Sequence, residues 1–560
     1  MKLLLSSFLL LLTSLSATFA QKPEPKDSIY IIQDSVLIPT RSGIDISAVI
    51  VRKKSIDAPL PAVLFYTTYY QGPGDDILAK RPADRDYVGI VAYARGIKTD
   101  LKHYAPYEHE QTDVYDIIDW ISKQAWCDGN IAMMGGSYTG FSQWAAVKNV
   151  HPALKTIVPQ VAVMPGFDVP MENNVQMSLG LYWPHDNIYK HERIRRGLPF
   201  EWFESGIAWN QLDSLAGYKN EIFQKWLQHP AYGDYWQSMV PSPEEYNKLD
   251  IPVLSTTGYY DGSQLSAIQY FKLHNKYNPM ANHYFVIGPY DHWGAQRNPA
   301  KNLMGYEIDK VADISMMELA YQWLDYILKG KQKPELLKDK VNYQVMGSNE
   351  WKHVSSFGKL NNDTLTFYLD GVNLSADQPK KESFEIQEIN FNDRENQNNF
   401  YTPQIIFDTL EVSGGLVFKT NPFEQEFSMN GSFGGKLNAT INKKDMDISL
   451  ALYELMPDGK YFFLTRYVGR ASYAKDNSKR QLLLPDQKES IPIGNTRFIS
   501  KKINKGSRLV ILLNVNKHPF EIINYGSGKE VSKETINDAG EHMQIKWHND
   551  SFIQIPVWIN

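Results

Sequence analysis

The sequence contains very little cysteine and no large excess of either charge. Only one of its 560 residues, Cys127, is a cysteine, so no disulfide can form within this sequence. The 58 basic and 63 acidic residues give a formal net charge of -5, which provides no basic field for a phosphate backbone. We therefore expect stability to come from core burial, and we expect no nucleic-acid partner.

Long apolar runs are also scarce. One run extends from Leu3 to Leu12, follows the basic Lys2, and leads into small residues that end at Ala20. This arrangement predicts a signal peptide over residues 1–20, whereas an uncleaved N-terminal anchor is the alternative. Because later apolar runs are interrupted by charges or proline, we expect a secreted or periplasmic protein with no membrane association after cleavage.

The histidines lack the spacing of a metal site. His103, His109 and Glu110 cluster in one stretch, and His191 and Glu192 are adjacent in another. Neither stretch has the His-Glu-x-x-His spacing that places two imidazoles on one helical face. The sequence therefore predicts no metal and no cofactor.

The residues that are present predict two or three folded domains. Hydrophobic residues make up 43% and aromatic residues 13% of the chain, enough for large packed cores. Short apolar runs at 60–66, 87–93 and 130–134 are typical of strands buried on both faces of a parallel sheet. Between 110 and 123, apolar residues recur every three or four positions, which indicates a helix. This alternation predicts a doubly wound, mostly parallel α/β core.

The pattern divides the rest of the chain into segments. We assign the core to 28–149 and 247–345, and the aromatic-rich segment 150–246 to an inserted helical cap. After the second core segment, residues 346–560 contain many short stretches in which apolar and polar residues alternate, separated by Gly, Asn and Asp. This pattern predicts an all-β domain, a sandwich or jelly roll.

A glycine-rich turn carries the first candidate catalytic residue. Gly135-Gly136-Ser137-Tyr138-Thr139-Gly140 lies between a predicted strand and a predicted helix. A nucleophile raised above a sheet on a sharp turn requires small neighbours. Position 139 is Thr where the usual Gly-x-Ser-x-Gly pattern has glycine, so the motif alone fits either a nucleophile elbow or a tight glycine-rich turn.

An acid and a histidine follow in the chain order that this fold requires. Asp261 and His292 each come after a predicted buried strand, at the carboxyl edge of a parallel sheet. Their alternative roles are a turn-forming carboxylate and a packed histidine. Asp291 is a weaker candidate acid, because it directly precedes His292 and the side chains of adjacent residues rarely point at each other.

These motifs resemble those of a known family. Gly135-x-Ser137-Tyr138-x-Gly140, Gly258-Tyr-Tyr-Asp261 and Gly288-Pro-Tyr-x-His292 are similar to motifs of the cocaine esterase and X-prolyl dipeptidyl peptidase family, which includes α-amino acid ester hydrolases and glutaryl-7-aminocephalosporanic acid acylases. Further matches are Arg95-Gly96, Gln124-x-Trp126-Cys127-Asp128-Gly129 and Asn524-Tyr525-Gly526-Ser527-Gly528.

The resemblance implies an α/β-hydrolase core with a helical cap, a C-terminal jelly roll and a Ser137–His292–Asp261 triad. It also implies an oxyanion hole formed by the Tyr138 N–H and a tyrosine phenol. Tyr69 matches that phenol, although the neighbouring Tyr70 leaves the register open by one residue.

The sequence thus predicts a serine hydrolase that cleaves ester or amide acyl bonds of small molecules or short peptides through an acyl-enzyme. X-Pro dipeptidyl-peptidase activity is one alternative, and an inert secreted protein that binds a ligand through its β domain is another. In the cap, Glu172 is a candidate anchor for a substrate amine and Trp183 a candidate lining residue of the acyl pocket. A solvated or capping glutamate and a packing tryptophan are the respective alternatives.

Overall fold

The computed structural model describes residues 29–70, 75–188, 193–397 and 404–559. The predicted signal peptide at 1–20 lies outside these residues, as do His191 and Glu192. Within the described residues, no helix combines the length and the apolar character needed to cross a membrane.

The first part of the chain forms most of a central sheet and three helices. Its β3 and β4 strands are almost wholly buried, as expected for strands covered by helices on both faces. The strands are β1 (Tyr30–Pro39), β2 (Asp45–Lys53), β3 (Leu60–Thr67), β4 (Val88–Tyr93), β5 (Cys127–Gly136) and β6 (Leu154–Gln160), and the helices are α1 (Asp75–Ala83), α2 (Glu110–Ser122) and α3 (Tyr138–Ala146).

A mainly helical segment follows β6. Its helices are short, and several of its tryptophans are fully buried, so aromatic packing holds it together. It contains the hairpin β7 (Met171–Glu172) and β8 (Val175–Gln176) and the helices α4 (Leu179–Ile188), α5 (Leu198–Ser205), α6 (Leu212–Ala216), α7 (Glu221–Leu227), α8 (Asp234–Gln237) and α9 (Pro243–Lys248).

The chain then returns to the central sheet. This part comprises β9 (Val253–Tyr260), α10 (Gln264–Tyr277), β10 (His283–Asp291), β11 (Asn302–Leu303), β12 (Tyr306–Glu307), α11 (Met316–Lys329), β13 (Val341–Val345) and β14 (Glu350–Val354). The sheet has ten strands in the order β1-β2-β4-β3-β5-β6-β9-β10-β13-β14. Pairing is parallel from β4 through β13 and antiparallel at both edges. The predicted doubly wound core is confirmed.

The sheet extends beyond the predicted core segments at two places. Strand β6 falls inside the range 150–246 that the sequence assigned to the cap on its aromatic content. Pro159 lies near the carboxyl end of β6 and pairs with Gly135 in parallel register. Strand β14 pairs antiparallel with β13 and continues the core sheet past residue 345.

The remainder of the chain is all β, as predicted. Its strands form one extensively paired sheet system. They are β15 (Asp363–Asp370), β16 (Asn373–Ser375), β17 (Phe384–Ile389), β18 (Ile406–Phe407), β19 (Leu416–Lys419), β20 (Phe427–Ser432), β21 (Gly434–Ile441), β22 (Asp447–Leu455), β23 (Tyr461–Arg470), β24 (Lys488–Ile493), β25 (Phe498–Ile503), β26 (Arg508–Val515), β27 (Met543–His548) and β28 (Phe552–Trp558).

Candidate active site

Four predicted site residues follow the carboxyl ends of parallel strands in the central sheet. Tyr69 comes after β3, Ser137 after β5, Asp261 after β9, and His292 after β10. Because these strands run in the same direction, their carboxyl ends meet along one edge of the sheet. Residues that are far apart in the sequence are thereby brought to one edge.

Ser137 lies on a sharp turn between β5 and α3. Its backbone has φ 63° and ψ -124°, a conformation that a non-glycine residue rarely adopts. The preceding Gly135 has φ 135°, and a Cβ atom there would lie 2.4 Å from Cγ2 of Thr139. The Thr139 side chain thus fills the space that Gly135 leaves free. The turn has the strained strand-to-helix geometry of a nucleophile elbow even though position 139 is not glycine.

Asp261 and His292 form a hydrogen-bonded pair. His292 Nδ1 lies 2.7 Å from Asp261 Oδ1. Asp261 is fully buried, and its oxygens also accept from the Ser263 N–H at 3.0 Å and from the Thr257 hydroxyl at 2.7 Å. Burial opposes the charge on this carboxylate, but His292 and these donors outweigh it and lower the pKa of Asp261. A carboxylate held in this way orients the imidazole.

The pKa of His292 is raised by its surroundings. Desolvation by burial lowers that pKa, but the Asp261 carboxylate and its hydrogen bond more than compensate, and Asp168 and Asp291 act in the same direction. The side chain remains 28% exposed, so it can reach solvent or a bound substrate. An imidazole with this environment is suited to accept and return a proton near neutral pH.

Gln296 links the histidine loop to the nucleophile turn. Its side-chain amide donates to the His292 carbonyl at 2.8 Å. A Cβ atom at Gly136 would lie 2.2 Å from Gln296 Oε1, so the amide packs directly against the backbone beside Ser137. This contact was not predicted, because nothing in the sequence distinguishes Gln296 from any other polar residue after a strand.

Tyr69 reaches the candidate nucleophile. Its hydroxyl donates to Ser137 Oγ at 3.3 Å and accepts from Trp183 Nε1 at 3.2 Å, and the Tyr138 N–H is also directed at it. Burial raises the pKa of Tyr69 despite these neighbours, so the phenol keeps its proton and remains a donor. The Tyr70 ring packs edge-on against Tyr93 instead. The geometry thus favours Tyr69 in the register that the sequence left open.

Glu110 fixes the side chain of Tyr138 through a hydrogen bond. It is 3% exposed, and its carboxylate accepts hydrogen bonds from the Tyr138 hydroxyl, from the Tyr107 N–H at 2.8 Å and from the His109 N–H at 3.0 Å. Burial raises the pKa of Glu110 to about 7. The sequence places Glu110 beside His109 and at the start of a predicted helix, and neither feature indicates this role. Glu110, the first residue of α2, thus holds Tyr138, the residue whose backbone N–H lies next to Ser137.

The two cap residues proposed to bind substrate have partners within the chain. Trp183 donates to Tyr69 and stacks on Tyr107, with ring centroids 5.4 Å apart and an interplanar angle of 12°. Glu172 is 2% exposed and forms an ion pair with Arg497 of the all-β domain. A substrate amine at Glu172 would have to compete with that guanidinium, so the assignment of Glu172 to substrate binding stays a prediction.

A second buried carboxyl near the pair also escaped prediction. Asp168 is 1% exposed, and its Oδ1 accepts from the Met164 N–H at 3.0 Å. Burial raises the pKa of Asp168 to about 7. The charge of Asp261 also raises the pKa of Asp168, and Asp168 raises the pKa of His292, so Asp168 belongs to the electrostatic environment of the site.

The described part of the chain contains no group of three or more His, Cys, Asp or Glu side chains arranged to hold a metal ion. The arrangement offers instead a serine on a strained turn, an imidazole–carboxylate pair, and a protonated phenol with a backbone amide beside it. Together these groups can provide a nucleophile, a base and oxyanion donors, the three components of acyl transfer.

Two family models match the chain. Residues 42–294 match the X-Pro dipeptidyl-peptidase (S15 family) model. Residues 337–547 match the X-Pro dipeptidyl-peptidase C-terminal non-catalytic domain. The first match spans all five candidate catalytic and oxyanion residues, and the second covers most of the all-β domain.

Known proteins resemble the chain over nearly its full length. The cocaine esterase of Rhodococcus sp. (strain MB1 Bresler) is 23% identical over 573 aligned residues, which cover 91% of this chain and 95% of that protein. An aminopeptidase structure from a marine sediment Thaumarchaeota archaeon has a TM-score of 0.80 at 18% identity, covering 96% of this chain and 99% of that one. An α-amino acid ester hydrolase structure has a TM-score of 0.79 at 19% identity, covering 97% and 100%.

Proposed function

We propose, from the premise that the chain belongs to the serine hydrolases of the X-Pro dipeptidyl-peptidase (S15) and cocaine esterase family, that it cleaves ester or amide acyl bonds through Ser137, His292 and Asp261. The observation that carries the proposal is the strained Ser137 turn at the same sheet edge as the Asp261–His292 pair. In this mechanism His292 takes the Ser137 proton while the hydroxyl oxygen attacks the acyl carbon.

The negative charge that develops on the acyl oxygen is stabilised by two donors. The Tyr138 N–H and the Tyr69 hydroxyl, which lie beside Ser137, hold the oxyanion, and Trp183 donates to the Tyr69 oxygen so that the Tyr69 proton stays directed at the reacting atoms. His292 then protonates the leaving group. Water, activated by the same imidazole, releases the acyl-enzyme and restores Ser137.

Release of X-Pro dipeptides is a second candidate for the same site. The family model over residues 42–294 favours it, whereas the full-length similarity to a cocaine esterase favours ester cleavage. The chemistry is common to both, so the acyl group and the leaving group distinguish them. We further propose that the protein is exported, on the pattern of residues 1–20 in the sequence.

A paired substrate assay tests this function. Purified protein would be given p-nitrophenyl acetate and Gly-Pro-p-nitroanilide, each with a Ser137→Ala sample as the blank. Ester turnover without anilide release supports an esterase or acylase, and dipeptide anilide release selects the peptidase. Absence of turnover on both substrates, in a protein that reacts with no serine-directed probe, would favour the inert binding protein.

The pH profile should report the raised pKa of His292. The imidazole must be neutral to accept the Ser137 proton, and Asp261, Asp168 and Asp291 favour its protonated form. We therefore expect kcat/KM to fall on the acid side with an apparent pKa above the ordinary histidine value of 6.5. Initial rates measured across pH 5 to 9 on a non-ionising ester test this expectation. An acid limb below 6.5 would contradict it.

Removing the Tyr69 hydroxyl should slow the chemical step. Tyr69→Phe deletes one of two oxyanion donors, which corresponds to about 10²- to 10³-fold in kcat, with little change in KM. Steady-state kinetics on the same ester provide the measurement. Tyr70→Phe is the matched control, since its ring packs on Tyr93 and we expect less than about a threefold change. Equal effects of the two substitutions would remove Tyr69 from the oxyanion hole.

A further inference from the structure

The turn that carries Asp261 is contacted by the all-β domain. Arg497, directly before β25, is 8% exposed. Its Nη1 donates to the Asp261 carbonyl at 2.6 Å, and its Nη2 donates to the Gly262 carbonyl at 3.2 Å. Both carbonyls belong to the short turn between β9 and α10, so a guanidinium from a distant part of the chain holds this turn.

Glu172 fixes the other side of the same guanidinium. Its Oε2 accepts from Arg497 Nη2, and it lies on the β7–β8 hairpin of the inserted segment. Burial would raise the pKa of Glu172, but the positive charge of Arg497 lowers it, so the pair is ionised. We call Arg497, Glu172 and the turn Asp261–Gly262 the acid-turn clasp. It joins the core, the inserted segment and the all-β domain.

A second contact between the all-β domain and this part of the core joins Phe498, which follows Arg497, to Gln264 at the start of α10. Gln264 is fully buried, and its side-chain amide donates to the Phe498 carbonyl at 2.9 Å, while the Phe498 N–H donates back to Gln264 Oε1 at 2.7 Å. The same amide group donates to the Gly258 and Tyr259 carbonyls at 3.1 Å. Residues 497 and 498 of the all-β domain therefore pair with the chain immediately after the acid.

We propose that Arg497 is a positioning residue for catalysis: the all-β domain, through the acid-turn clasp, sets the direction in which Asp261 presents its carboxylate to His292. The proposal rests on the proposed triad. A buried ion pair is weak evidence for stability alone, since apolar packing often serves as well. The planar fork of an arginine can, however, hold two carbonyls and a carboxylate at once in a fixed geometry, which the single ammonium of a lysine cannot reproduce.

Arg497→Lys and Arg497→Met test the positioning role together. The lysine variant keeps the charge and loses the fork, and the methionine variant loses both. We expect kcat to fall about 10- to 100-fold in both variants, with KM changed little, because a misdirected Asp261 orients His292 less well. The acid limb of kcat/KM should move down toward 6.5, since His292 loses part of its carboxylate partner.

The matched control is Lys501→Met, which breaks the Lys501–Glu454 ion pair within the all-β domain. That pair is also buried, at 6% and 1% side-chain exposure, and Lys501 lies on β25 close to Arg497. We expect this control to lower the unfolding temperature and to leave kcat and the acid limb unchanged. If Lys501→Met reproduces the kinetic changes, or if Arg497→Met leaves kcat and the acid limb at wild-type values, the proposal is overturned.

Substitution of Glu172 distinguishes a role in positioning Arg497 from a role in binding substrate. In the clasp, Glu172→Ala frees Arg497, so kcat should fall and the double variant with Arg497→Met should be no slower than Arg497→Met alone. A rise in KM confined to substrates with a free amine, at unchanged kcat, would place Glu172 in the substrate pocket and overturn its role in the clasp. Asp261→Asn serves as the reference: if it leaves kcat intact, the triad itself fails, whatever Arg497 does.

Discussion

Ser137→Ala should reduce kcat by about 10⁶-fold, since removal of the nucleophile abolishes the acyl-enzyme route and leaves only residual catalysis from the oxyanion donors. The strained backbone at Ser137, with φ 63° and ψ -124°, supports this expectation, because the hydroxyl caps no N–H of helix α3 and accepts a hydrogen bond from Tyr69 instead. Hydrolysis of p-nitrophenyl acetate by freshly purified variant and wild-type protein, measured at equal concentrations, gives the ratio.

A serine variant elsewhere controls for loss of folding. Ser315 caps helix α11 by accepting from the Glu318 N–H at 3.3 Å, and Ser315→Ala should cost about 1 kcal/mol of unfolding free energy while leaving kcat unchanged. Thermal unfolding of both variants should show that Ser137→Ala is folded. Substantial turnover in a folded Ser137→Ala protein would exclude Ser137 as the nucleophile.

Asp261→Asn should have the second largest effect, about 10⁴-fold in kcat. The amide can present an N–H to His292 Nδ1 in place of a carboxylate oxygen, which favours the wrong tautomer and removes the charge that stabilises the imidazolium. Because the substitution preserves shape, and because the Thr257 hydroxyl can still donate to the remaining side-chain oxygen, we expect the fold to be retained. The measurement is kcat for ester hydrolysis at the pH optimum.

The neighbouring Asp291 provides the control for this substitution. Its Oδ1 accepts from the Trp293 N–H at 3.1 Å and the Gly294 N–H at 2.7 Å, so it shapes the turn after β10. An asparagine oxygen can accept the same bonds, and Asp291→Asn should therefore reduce kcat by less than about tenfold. If Asp291→Asn were the more damaging of the two variants, the acid would be Asp291 and the assignment of Asp261 would be wrong.

Local patterns predicted the elements that hold the candidate site. The buried runs that became β3, β5, β9 and β10 were recognisable because strands covered on both faces contain short runs of apolar residues. Since parallel strands end at a common edge, the residues after them could be placed together without knowing any contact. The fold class was predictable for the same reason, whereas β6 was missed because it lies at the start of the segment that the sequence assigned to the cap.

Contacts between distant segments could not be predicted in this way. Gln296 packs on the Ser137 turn, Glu110 receives the Tyr138 hydroxyl, and Arg497 holds the Asp261 carbonyl. Each depends on how separately folded segments dock, and a single polar residue in a sequence carries no signal of its partner. Glu172 illustrates the limit: its type suggested an amine partner, but the structure provides a guanidinium from the same chain.

The role of Ser137 as nucleophile is tested by the mass of the protein after exposure to a fluorophosphonate, followed by peptide mapping of the adduct. If Ser137 is the nucleophile, we expect a single covalent adduct on the peptide that contains Ser137, formed faster as the pH rises through the pKa of His292, and absent from Ser137→Ala. An adduct on another residue, or an active hydrolase that forms none, would contradict the claim that Ser137 is the catalytic nucleophile.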